Sequence, residues 1–97
     1  MRTDSLCATR RAISFAVHYP DVRVVPHSPF LGPALVAAIH IIAAMPNEVA
    51  CEHRFCDLGA SPLGDAVVST NGRLRVPDGP GLGFEVDETV IEKYRVR

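Results

Sequence analysis

Four histidines, three cysteines and eleven carboxylates are the side chains through which this chain could do chemistry. The most suggestive placement is His27, in "VVPHSPFLGP" at residues 24–33, where an apolar run stops at Pro26 and Gly32 and Pro33 open a longer one. An imidazole titrates near neutral pH, so at such a junction it can move a proton, ligate a metal or cap a turn. The residues alone leave all three readings open. Ser28 and Phe30, beside it, are candidates to line a pocket, and a helix-entry turn explains both equally well. Glu52 follows the apolar residues of "EVAC" and is a second candidate acid. The stretch "CEHRFC", with Cys51, His53 and Cys56, invites a zinc reading, but a closed structural site needs four ligands and the fourth is missing. Cys51 or Cys56 could pair with His27 or His53 as a nucleophile, although a buried thiol commonly acts as a small hydrophobe. The glycines of "GPGLG" are not a phosphate loop: no lysine follows, and Glu85, Asp87 and Glu88 would repel an anion.

Something has to hold these groups in place. A chain of 97 residues is one domain or a piece of one, and a free-standing domain of this size buries roughly 60–70% of its unfolded surface. Hydrophobic residues make up 47% of the chain and charged ones 22%, with a formal charge of -1. This composition excludes a disordered chain and offers no basic face for nucleic acid. The longest apolar run, residues 34–45, lies between Pro33 and Pro46 and is too short to span a bilayer. No apolar stretch of signal-peptide type follows "MRTDSLCATRR", so a soluble, cytoplasmic chain with reduced cysteines and no membrane partner is expected.

The pattern along the chain predicts the positioning elements. Over residues 9–18, Ile13, Ala16 and Val17 repeat at helical spacing with Arg10, Arg11, Ser14 and His18 opposite, which reads as an amphipathic helix ended by Pro20. "DVRVVPH" has the valine density of a strand. Pro33 then opens a helix, "ALVAAIHIIAAM", whose one polar side chain, His40, reads as structural. After Pro46 and Asn47, "EVACEHRF" reads as a second strand. Helix, strand, helix, strand is the order of parallel βα units, so residues 1–56 form one predicted region. Residues 57–97 form the other, a C-terminal extension. In it Asn71 and Gly72 predict a type I′ hairpin turn, "PDGPGLG" a rigid loop, and Asp87 the cap of a last helix over residues 88–94. Two short parallel strands beside a nearly all-apolar helix would not be stable alone, so the chain should either self-associate or belong to a larger α/β structure.

Taken in order, "VVPHSPFLGPALVAAIHIIAAMPNEVACE" and "DGPGLGFEVD" resemble the C-terminal portion of the mandelate racemase and muconate lactonizing enzyme family, within the enolase superfamily. The resemblance runs from about residue 8 to residue 97. It implies a sector of a TIM-type (β/α) barrel, its last strands and helices, followed by a C-terminal extension. A whole barrel needs about 250 residues. It also implies roles. His27 matches the histidine that removes or returns the proton next to a substrate carboxylate, and Glu52 matches an acid that hydrogen-bonds that carboxylate from a poorly solvated site. The intact family uses Mg²⁺ in racemases, epimerases and dehydratases of hydroxy acids and acid sugars. The metal-binding carboxylates, the lysine base and the aspartate partner of the histidine all fall upstream of the region of resemblance, so this chain contributes no metal ligand.

Two functions of different class follow. The chain is a C-terminal enzyme fragment, inactive alone and acting on a small carboxylate substrate when completed by the missing barrel half, or it is a noncatalytic module that buries its apolar helix in a homo-oligomer or against another protein.

Overall fold

The computed structural model describes residues 6–25, 32–46, 48–54 and 56–97. Its first element, α1, runs over Leu6–Val17, starting before the expected residue 9. Ile13 and Ala16 are half-buried, whereas Val17, assigned by spacing to the inner face, is 55% exposed. The chain leaves the helix through bonds from the His18 and Tyr19 amides to the Phe15 and Ala16 carbonyls, and the Phe15 and Tyr19 rings meet at 4.5 Å.

The second helix, α2, spans Pro33–Ala43 and begins where the sequence places it. Gly32 is extended at its N-cap and Pro33 takes the first turn, where a missing N–H costs nothing. Leu35, Val36, Ala37 and Ile39 of this helix are buried. They pack against Leu63 and Val67, on and beside a short 3-10 helix at Gly64–Val67, with Cys51, Leu74, Val76, Leu82 and Phe84 closing the cluster from its edges. The core therefore draws on residues from both sides of position 56. The 3-10 helix was not foreseen, because a single tight turn carries no periodicity. Its local signal is Ser61, whose hydroxyl accepts the Leu63 amide and whose carbonyl accepts the Gly64 amide.

A two-stranded antiparallel hairpin follows, β1 at Ser69–Thr70 and β2 at Arg73–Leu74, with Ser69 paired to Leu74 and Thr70 to Arg73. Asn71 (φ 51°) and Gly72 (φ 72°) form the two-residue turn predicted from their identities. The last helix, α3, spans Glu88–Lys93 behind the Asp87 cap.

The strand expectations need correction. Neither residues 21–25 nor residues 48–54 join a ladder, and the sheet present among the described residues is the hairpin rather than a parallel pair. Among the described residues no parallel ladder of a barrel sector is present. The physical reason is the one that made the sector look incomplete: two short parallel strands with no neighbours on their outer edges gain too little pairing to hold a ladder. Their side-chain alternation nevertheless persists. Val49, Cys51 and His53 face inward, while Glu48, Ala50 and Glu52 face solvent, a period of two without the hydrogen bonds that normally accompany it. No helix among the described residues is long and apolar enough to cross a membrane.

Candidate functional site

His27, Ser28 and Phe30 lie outside the described residues. Glu52 lies within them, on the segment 48–54, and the alternation just described turns it outward so that it is exposed. The described residues around it leave it in solvent rather than in the poorly solvated setting implied for this acid.

The inward residues of the same segment are tied to the core side. His53 sets both ring nitrogens against carbonyl oxygens, Nδ1 at 3.0 Å from that of Arg54 and Nε2 at 2.9 Å from that of Val67. A neutral imidazole donates to one of these and an imidazolium to both. Either way His53 fastens the segment to the end of the 3-10 helix, and its nitrogens are taken. The sequence suggested a metal ligand or the base partner of a cysteine nucleophile for this residue; the inward register of 49, 51 and 53 was the available sign of a structural role.

Cys51 is half-buried against the core and gives its S–H to the Glu52 carbonyl at 3.5 Å. Burial, and secondarily the Glu52 carboxylate, push its thiol above the usual range. It is a poor nucleophile at neutral pH, since the thiolate is the reactive form. All three cysteines are free, with Cys7 and Cys56 exposed. Among the described residues no group of three His, Cys, Asp or Glu side chains is placed to hold a metal ion. The Mg²⁺ implied by the resemblance therefore finds no fit in the described part of this chain.

The segment borders an open groove of about 950 Å³, bounded by the end of α2, residues 48–51 and the hairpin. Ile39, Ile42, Met45, Val49, Leu74 and Val76 give it apolar walls, and Arg23, Glu48, Cys51 and Arg73 bring polar groups to it. Two guanidinium groups against one carboxylate suit an anionic guest better than a cationic one. A second, smaller cleft lies between residues 13–17 of α1 and residues 22–24 and 45–49, lined almost wholly by apolar side chains.

Residues 1–90 match the model of the family described as enolase C-terminal domain-like. Among curated proteins, the arabinonate dehydratase of Saccharolobus solfataricus is 32% identical over 75 residues, covering 76% of this chain and 20% of that protein. The D-galactarolactone cycloisomerase of Agrobacterium fabrum is 33% identical over 88 residues, covering 77% of this chain and 22% of that protein. The chain thus spans about a fifth of the length of the curated relatives it matches. No solved structure matches it.

Proposed function

The chain belongs to the enolase C-terminal domain-like family, an α/β family, and from that premise we propose that it is the C-terminal portion of a Mg²⁺-dependent enolase-superfamily enzyme, without activity on its own. The reaction class is proton abstraction next to a carboxylate, as in a racemase, an epimerase or a dehydratase of hydroxy acids or acid sugars. The observation that carries this reading is the match over residues 1–90 together with a length only a fifth of the relatives'. Those relatives are named for dehydrating arabinonate and for cycloisomerising D-galactarolactone.

In this reading His27 takes or returns the substrate proton, a role for which an imidazole's affinity for protons near neutral pH suits it. Glu52 donates a hydrogen bond to the substrate carboxylate once the missing barrel portion covers its exposed face and removes water from it. Ser28 and Phe30 line the pocket beside His27. The segment 48–53 supports the reading, because it has the side-chain order of a strand and pairs with no strand among the described residues. The cytoplasm is the proposed compartment.

Co-expression with the upstream portion of a family member tests this. Activity is expected in the complex and not in the chain alone, and His27→Asn should abolish it. A reconstituted rate unchanged by His27→Asn would overturn the role of that residue.

One observation favours the noncatalytic alternative. Phe15, Val17, Tyr19, Val22 and Val25 are 59%, 55%, 51%, 44% and 51% exposed, so a run of large apolar side chains along α1 and the residues after it faces solvent. A folded, cooperative homo-oligomer of the chain alone, seen by light scattering, would support an interaction module; a monomeric molten species would count against it.

A further inference from the structure

We propose that the Asn71–Gly72 turn is a site of spontaneous covalent modification, in which the Asn71 carboxamide is lost through a cyclic imide and the resulting isoaspartyl linkage opens the hairpin. Asn71 and Gly72 are both exposed. Nothing lies within 4 Å of where a Cβ on Gly72 would stand, so the Cα side of the glycine is open. The ladder pairs Thr70 with Arg73 and Ser69 with Leu74, which leaves the Gly72 N–H outside it. Neither that N–H nor the Asn71 carboxamide makes a hydrogen bond among the described residues. Nucleophile and electrophile are therefore adjacent, solvated and unpartnered. Rotation about the Asn71 backbone is needed to bring them together, and a ladder of two residue pairs opposes it weakly.

The step needs only water. Hydroxide removes the proton of the Gly72 peptide nitrogen, and the nitrogen attacks Cγ of Asn71. The new N–Cγ bond forms as the Cγ–Nδ2 bond breaks, and Nδ2 leaves as ammonia with a proton taken from water. No atom is oxidised or reduced. Water then opens the imide at one of its two carbonyls, giving aspartate or isoaspartate. In isoaspartate the main chain runs through Cβ and Cγ, which adds a methylene to a two-residue turn that requires two α-linked residues at positive φ. The Ser69–Leu74 register is then lost. Leu74 packs against the core cluster, so a surface reaction is transmitted to the interior.

The sequence simplifies the test, because Asn47 is the other asparagine and there is no glutamine. The full chain is held in warm, mildly alkaline buffer while released ammonia is measured and peptides are mapped. The expected result is isoaspartate at position 71 as the main product and Asn71 consumed well ahead of Asn47, which precedes the bulky Glu48. Asn71→Gln should reduce ammonia release to the Asn47 background. Faster amide exchange at Thr70 and Arg73, the pair that closes the turn, is expected in the modified fraction as well. Retention of the Asn71 amide, while a free peptide of residues 69–74 loses it, would show that the turn protects the site and would overturn the proposal. Modification with unchanged exchange at Thr70 and Arg73 would overturn the opening of the hairpin.

Discussion

The Nε2 of His40, on the mostly apolar helix α2, lies 3.0 Å from the backbone carbonyl of Leu82, forty-two residues along the chain. This bond joins the helix to the proline- and glycine-rich loop that closes the core beside Phe84. With the proton on Nε2, His40 donates and the carbonyl accepts.

His40→Leu should therefore lower stability by about 1 kcal/mol, the usual net value of a hydrogen bond that leaves a carbonyl without its donor. His40→Gln, which can still donate, should recover part of the loss. Urea unfolding of the three proteins, compared by midpoint, checks this.

The same loop should be unusually sensitive at Gly83 and less so at Gly81. Both have positive φ, 79° and 65°. A Cβ on Gly83 would stand 2.6 Å from Cβ of Pro77 and 2.7 Å from its carbonyl carbon, whereas a Cβ on Gly81 meets nothing within 4 Å. Gly81→Ala should cost about 1–2 kcal/mol from backbone strain alone. Gly83→Ala should cost clearly more, since a rigid proline and its backbone must also move. The order of thermal midpoints, wild type above Gly81→Ala above Gly83→Ala, is the expected outcome.

Asp87 gives α3 a pH dependence. Its carboxylate accepts from the Thr89 hydroxyl and from the amides of Thr89, at 2.9 Å, and Val90, at 3.3 Å. These bonds, the one from the Thr89 side chain foremost, hold the carboxyl below its ordinary value. The folded form therefore binds the proton more weakly than the unfolded one. The cap's contribution is complete above the unfolded value of about 3.9 and fades as pH falls through the lower folded value. Helical circular dichroism should show α3 fraying in that range in the wild type. Asp87→Asn should keep part of the cap and lose this pH response.

Thiol labelling should divide the cysteines into two classes. Cys7 and Cys56 are exposed and should alkylate first at mildly alkaline pH. Cys51, half-buried and with its thiol pushed up, should lag behind both until denaturant is added. Time-resolved peptide mapping reads the order, and early labelling of Cys51 would mean that segment 48–54 leaves the core more readily than its packing implies.

Local grammar alone was enough for several elements. Asn71–Gly72 needs only its two φ angles to set a type I′ turn, Pro33 needs only a free first turn, and Asp87 needs only the amides two and three residues ahead. Each of these interactions is made within a few residues, so tertiary context had little to alter. The family was legible for a related reason: the order and spacing of "VPH", "MPNEVACE" and "DGPGLGFEVD" remain readable whatever part of a larger structure surrounds them.

Pairing could not be read in the same way. The alternation of residues 48–53 belongs to the sequence and survives in the structure, but a ladder requires a second strand at the right distance, and that depends on chain elsewhere. Val17 illustrates the same limit, since helical spacing assigns it a face and only packing decides whether anything covers that face. His53 does too: its residue type allowed a ligand or a bridge, and the position of the Val67 carbonyl 2.9 Å away made it a bridge. What this sequence determined by itself was its turns, caps, helix starts and family likeness, all set by short-range sterics and hydrogen bonding. What only the tertiary structure decided was which faces are buried and which backbone edges are paired, because burial and pairing are properties of two surfaces and the sequence of one surface does not specify the other.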